Sequence, residues 1–129
     1  MLEVQPPQIF EDNRGKFPVR FMGPETQSIV YSTLNGGNDW KTTAAIESSG
    51  PVNFVSLQSG FSWDGGRIFG TLNGGMTWNR IPPDEDFSQS LLQYQFVSSN
   101  RGWCLALNDA GKNSLYSTEN SGYSWRKLP

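Results

Sequence analysis

Apolar and polar residues alternate in short runs along this chain, separated by clusters of Gly, Asn, Asp, Ser and Pro. That is the pattern of short strands joined by tight turns. A strand-like segment runs from Val4 to Phe10 into the turn cluster Glu11-Asp-Asn-Arg-Gly15. Phe17, Val19 and Phe21 then alternate with Lys16, Pro18 and Arg20, the period of a half-buried strand. Pro18 has no N–H to donate, so an irregular or unpaired position is expected there. Gly23-Pro-Glu-Thr-Gln27 reads as a loop, Ser28 to Leu34 as a third strand and Trp40 to Ile46 as a fourth. Together they make one four-stranded meander.

The same succession follows twice more. Val52 to Leu57, Phe61 to Trp63, Arg67 to Leu72 and Thr77 to Ile81 form a second unit, with Asp64-Gly-Gly66 as a hairpin turn. A polar linker, Pro82-Pro-Asp-Glu-Asp-Phe-Ser-Gln-Ser90, leads to the third. There the expected strands are Gln93 to Ser98, Trp103 to Leu107, Ser114 to Glu119 and Tyr123 to Leu128, with Asn108-Asp-Ala-Gly-Lys-Asn113 as a loop.

A repeated turn ties the units together. Thr33-Leu-Asn-Gly-Gly-Asn-Asp-Trp40, Thr71-Leu-Asn-Gly-Gly-Met-Thr-Trp78 and Thr118-Glu-Asn-Ser-Gly-Tyr-Ser-Trp125 share one frame, Thr-x-Asn-x-Gly-x-polar-Trp. The tryptophans lie 38 and then 47 residues apart, the range of a four-stranded repeat. Val30-Tyr-Ser-Thr33, Ile68-Phe-Gly-Thr71 and Leu115-Tyr-Ser-Thr118 superpose before the turns. Phe54 with Gly60 answers Phe96 with Gly102, and Phe10 with Gly15 is the same step one residue shorter. The fold expected is all-β: three four-stranded antiparallel β-propeller blades in one domain, blade 1 about 3–46, blade 2 about 51–82 and blade 3 about 91–129.

Physical chemistry explains the frame. Residues after Asn must accept positive φ to close the turn, the Asn and Thr side chains satisfy backbone groups inside it, and the Trp covers it. A reading in which the three turns converge on one ligand is weaker, because the frame supplies no acid, base or nucleophile.

Composition narrows the chemistry. The chain has 129 residues, a net charge of −2 and no basic stripe, which argues against a nucleic-acid partner. It contains no histidine, the commonest general base and metal ligand. Cys104 is the single cysteine, so an internal disulfide is impossible, and its place in an alternating run makes it a small core residue. No apolar run is long enough for a membrane-spanning helix, and Met1-Leu-Glu-Val-Gln-Pro-Pro lacks the basic and apolar regions of a signal peptide. The expected compartment is cytoplasmic, or secreted or periplasmic if the chain was trimmed from a precursor. No catalytic, cofactor-binding or metal-ligating residue is assigned, and no cofactor is expected.

The repeated frame resembles the Asp-box, or BNR repeat, Ser/Thr-x-Asp-x-Gly-x-Thr/Ser-Trp, of sialidases, sortilin-type receptors, xyloglucan-degrading enzymes and photosystem II assembly factors. Asn100-Arg-Gly-Trp103 is also similar to the Gly-Trp step of the photosystem II assembly factor repeats. The resemblance implies that the turns are outer hairpins of propeller blades, away from a central channel where ligands bind. Asn35, Asn73 and Asn120 stand where that family usually has Asp, and Asp39 where it has Thr or Ser.

Propellers close with about 4–8 blades. Three blades would leave apolar faces at both ends, and a two-fold homodimer would join them into a six-bladed ring. The function expected is a non-catalytic binding or scaffold module with a carbohydrate or protein ligand. It would use the loops at Glu11-Asp-Asn-Arg-Gly15, Ser59-Gly60 and Asn100-Arg-Gly102, although plain connecting turns explain the same segments. The alternative is a glycoside-acting enzyme, or a fragment of a larger sialidase- or glycosidase-like propeller. Asn79-Arg-Ile-Pro82 resembles the Arg-Ile-Pro motif of sialidases, but it follows Trp78 as Arg126-Lys-Leu-Pro129 follows Trp125, which makes it a fourth strand. Asp84, Glu85 and Asp86 read as a solvated loop rather than a tuned carboxylate pair.

Overall fold

A computed structural model of the chain describes residues 2–11, 13–21, 26–48, 50–64, 67–87, 90–108 and 110–129. The expected Gly65-Gly66 turn, most of the loop at 23–27 and Asp109 lie outside the described residues. Within them the regular elements are strands, grouped in three antiparallel sheets. The first sheet holds β1 (Leu2–Val4), β2 (Gln8–Phe10), β3 (Arg14–Phe21), β4 (Gln27–Thr33) and β5 (Lys41–Thr42). The second holds β6 (Val52–Phe54), β7 (Gly60–Trp63), β8 (Ile68–Thr71) and β9 (Asn79–Ile81). The third holds β10 (Leu91–Phe96), β11 (Gly102–Leu107), β12 (Asn113–Thr118) and β13 (Arg126–Lys127). Each sheet is a meander in chain order, with β1 and β2 sharing the first position of the first sheet.

Two sequence expectations need correction. The segment from Val4 to Phe10 is two short strands, not one, and the break between them leaves Pro18 without a ladder partner on that side, the unpaired position expected there. β3 is continuous, and Pro18 pairs in register with Val30. The Pro18 carbonyl accepts the Gln5 N–H at 3.1 Å, so the missing N–H of Pro18 faces the Gln5-Pro6-Pro7 break between β1 and β2. An unpaired donor is avoided on both sides of that break because prolines occupy it. The fourth strands are also much shorter than expected. In the second and third sheets the Thr-x-Asn-x-Gly-x-polar-Trp turn takes up the start of the predicted segment, and in the first the strand stops at Thr42, with Ile46 in an isolated bridge to Ser28, leaving two or three residues in each fourth strand.

The repeated Phe and Gly explain each other. Phe54 pairs across to Gly60 and Phe96 to Gly102. A Cβ on Gly60 would lie 2.7 Å from the Phe54 ring, and one on Gly102 would lie 2.6 Å from that of Phe96. In the first sheet, one residue shorter, Phe10 pairs with Arg14 instead and Gly15 has no such ring over it.

The sheets pack face to face, and the core lies between them. Phe61 stacks on Phe96 with ring centroids 3.7 Å apart, and Trp63 packs on Tyr94 and Trp125, joining the second sheet to the third. Cys104 and Ala106 are buried in the same cluster. Phe87 interrupts the polar linker and is itself core, edge-on to Trp63, Tyr116 and Trp125. Between the first and second sheets the apolar cluster is smaller, built on Val30, Ile46, Val52 and Phe54. There Lys16 occupies the register position that Phe61 holds in the second sheet, since Gly15, Gly60 and Gly102 all pair with the Thr that opens their turn. Its ammonium lies 4.8 Å from the Phe54 ring centroid and donates to Ser32 Oγ and to the Gly74 carbonyl of the second sheet. A buried serine chain crosses the same boundary: Ser62 Oγ donates to Ser48 Oγ, and Ser28 Oγ to the Ser48 carbonyl.

Candidate binding trough

The repeated turns are closed on themselves. Thr33 Oγ1 accepts the N–H groups of Asn35 and Gly37 and donates to Asn35 Oδ1. Asn35 Oδ1 accepts the Asp39 N–H, and the Asn35 amide donates to Asp39 Oδ2. Thr71 and Asn73 make the same bonds with Gly75 and Thr77, and Thr118 and Asn120 with Gly122 and Ser124. The residues after Asn adopt positive φ, 72° and 92° at Gly36 and Gly37, and 67° and 94° at Ser121 and Gly122. Trp40 and Trp125 donate their indole N–H to the carbonyls of Gly37 and Gly122. Trp78 takes the same pose over Gly75, but its N–H has no hydrogen-bond partner among the described residues. Asn serves as well as Asp in these turns because its amide also reaches the polar residue before the Trp.

The loops singled out in the sequence are anchored to these turns. The carbonyls of Asn13, Gln58 and Asn100 accept the N–H groups of Gly36, Gly74 and Ser121, at 2.7 to 2.8 Å. Each loop between a first and second strand is therefore pinned to the repeated turn at the same end of its sheet, which favours the connecting-turn reading.

The concave surface lies elsewhere, along the first strands of all three sheets. Residues 5–8, 50–53 and 91–95, with Trp63 and Asp64, line a trough of about 710 Å³. Its polar groups are mostly neutral amides. Gln5 Oε1 accepts the Val52 N–H, Gln8 Nε2 donates to the Val52 carbonyl, and Gln8 Oε1 accepts the Phe54 N–H. Asn53 Oδ1 likewise accepts the Phe96 N–H of the third sheet. Amide side chains from one sheet thus bind the open edge of the next. Tyr94 donates its hydroxyl to the Pro51 carbonyl, and burial raises its pKa above the ordinary tyrosine value. Asp64 is committed to Arg67, through its N–H and guanidinium. Sequence reasoning missed this wall, because Gln5, Gln8 and Asn53 read as routine polar positions of alternating strands.

The two end faces carry apolar surface. On the first sheet Val4, Phe17, Val19, Phe21, Tyr31 and Trp40 line a groove of about 460 Å³, and Trp40 is 47% exposed where Trp125 is 6% exposed. On the third sheet Cys104 and Ala106 turn inward, so Trp103 and Leu105 point to the opposite face, with Leu115 paired beside Leu105.

The residues of the enzymatic alternative are dispersed. Arg80 is exposed on β9 opposite Phe69, in the fourth-strand position. Asp84, Glu85 and Asp86 are exposed, and Asp84 Oδ1 accepts the Trp125 N–H, so it holds the third turn in place. Among the described residues no three His, Cys, Asp or Glu side chains form a metal-binding group, and no helix is long and apolar enough to cross a membrane.

Neither a family model nor a curated protein matches the sequence. A solved structure titled YCF48 bound to D1 peptide is similar over 97% of this chain, with a TM-score of 0.61 and 18% identity. This chain spans 39% of that protein's chain. At such identity the likeness speaks to fold alone, and it supports a β-propeller in which the three sheets are blades.

Proposed function

We propose that this chain is a non-catalytic binding or scaffold module whose partner is a protein. The observation that carries this reading is the trough along the first strands of all three blades, lined largely by neutral amides and prolines. The solved YCF48 structure holds a peptide, which supports a polypeptide ligand over a carbohydrate one. The ring is completed by a second copy, the outward apolar face of blade 1 meeting that of blade 3 at both seams.

The glycoside-acting alternative predicts turnover. Incubation with a panel of fluorogenic glycosides is expected to release no fluorophore. Turnover that disappears on changing Arg80 or Glu85 would replace the module with an enzyme. Light scattering behind size exclusion tests the ring: a species near twice the 14.4 kDa chain mass is expected, and a clean monomer would sink the two-fold closure.

A further inference from the structure

The open edges of the two inner strands are treated differently. The edge of β6 is sealed, because Gln5 and Gln8 occupy the N–H and carbonyl of Val52 and the N–H of Phe54. On β10, the matching edge strand of the third blade, Asn53 takes the Phe96 N–H. Phe96 therefore turns its main-chain groups away from β11, and Tyr94, two residues earlier, turns its own the same way. No side chain among the described residues bonds the Tyr94 N–H or carbonyl. A second open group lies on the same wall. Gln5 is 7% exposed, its Oε1 is used by Val52, and its Nε2 has no hydrogen-bond partner among the described residues. A buried donor left unmade is costly, and a ligand carbonyl would satisfy it.

We propose that the trough takes an extended, uncharged stretch of polypeptide, which adds as a strand to the Tyr94 edge of β10 and offers a carbonyl to Gln5 Nε2. This deepens the module reading and rests on it. Main-chain pairing explains why the wall is amide-rich and carries no free charge. A sugar would instead call for exposed aromatic faces, yet Trp63 and Tyr94 are buried on the trough floor.

The test is a titration of the ¹⁵N-labelled chain followed by amide chemical shifts. One probe is a pool of acetylated, amidated octapeptides of Ser, Thr, Gln, Val and Pro, and the other is cellohexaose. The peptides are expected to shift the Tyr94 backbone and Gln5 side-chain resonances. Gln5→Glu keeps the acceptor for Val52 but replaces the open donor with an oxygen, so the best peptide should bind about tenfold more weakly. If that variant fails to fold, N-methylation at single peptide bonds of the ligand should give a comparable loss at one position. Peptide shifts confined to the outer cleft near Leu72 and Tyr123 would overturn the trough assignment and leave the module standing. Cellohexaose shifting the trough while the peptides do not would overturn the polypeptide assignment. Silence with both probes would overturn the strand addition and the module together.

Discussion

At the scale of single residues, two positions carry more than their type suggests. Gly102 is glycine for lack of room, since its Cβ would meet the Phe96 ring, and that ring is itself sandwiched against Phe61. Gly102→Ala should lower stability by about 1–3 kcal/mol through overpacking, while Gly15→Ala, whose Cβ would meet the Gln8 carbonyl oxygen at 3.4 Å and no ring, should cost far less. Urea midpoints of the two variants check the contrast. Lys16 is the second position. Burial lowers its pKa from the usual lysine value, so the folded chain sheds this proton at a lower pH than the unfolded chain. Between those two values the unfolded state holds more protons, and stability from this site rises with pH. The stability of the native chain relative to Lys16→Met should therefore climb as pH approaches the ordinary lysine range. Urea melts of both proteins from pH 7 to 10 measure it, and a flat difference would mean that the ammonium is no worse off folded than unfolded.

At the scale of elements, the repeated turn was legible because its chemistry is local. Thr, Asn, Gly and Trp within eight residues satisfy one another, so spacing alone announces them. The strand ends were less legible, since the turn takes the start of the segment assigned to a fourth strand in the second and third sheets, and in the first the strand stops at Thr42. The trough wall and the serine chain could not be read in advance, because Gln5, Gln8, Asn53 and Ser48 act on residues of a neighbouring sheet that no periodicity identifies. Phe87 offered a faint signal, one aromatic in a polar linker, and the structure turns it into core. The local character of the turn makes its own prediction. Thr118→Val keeps the shape but strips the acceptor from the Asn120 and Gly122 N–H groups, in a turn whose Thr is buried. The loss expected is about 1–3 kcal/mol. Because Trp125 ties this turn into the core while Trp40 sits on an end face, Thr118→Val should disturb the third blade's packing more than Thr33→Val disturbs the first. Thermal melts followed by near-ultraviolet circular dichroism compare the two.

At the scale of the whole molecule, the repeat says how its ends should meet. Inside the chain, the second blade buries the side chains of its second strand against the third blade's first-strand aromatics and turn Trp, as Phe61 and Trp63 do against Phe96, Tyr94 and Trp125. The surfaces left over are the two halves of that same contact. Blade 3 presents Trp103 and Leu105 at the Phe61 and Trp63 positions, and blade 1 presents Phe17, Tyr31 and Trp40 as the receiving face. If a second copy supplies the missing neighbour, each seam is broken from either side. Leu115→Glu, on the blade 3 face and 43% exposed, places a carboxylate in the contact without touching the repeated turns. Trp40→Glu does so from the blade 1 face. Each should raise the dimer dissociation constant about 30-fold or more, the loss of an interface anchor. Leu72→Glu, 77% exposed in the second of the repeated turns and remote from both end faces, should leave the mass unchanged. Sedimentation equilibrium across a hundredfold concentration range reads all three. A dimer that survives both Leu115→Glu and Trp40→Glu would mean that the copies associate through another surface, and the six-bladed ring would be wrong even though the mass was right.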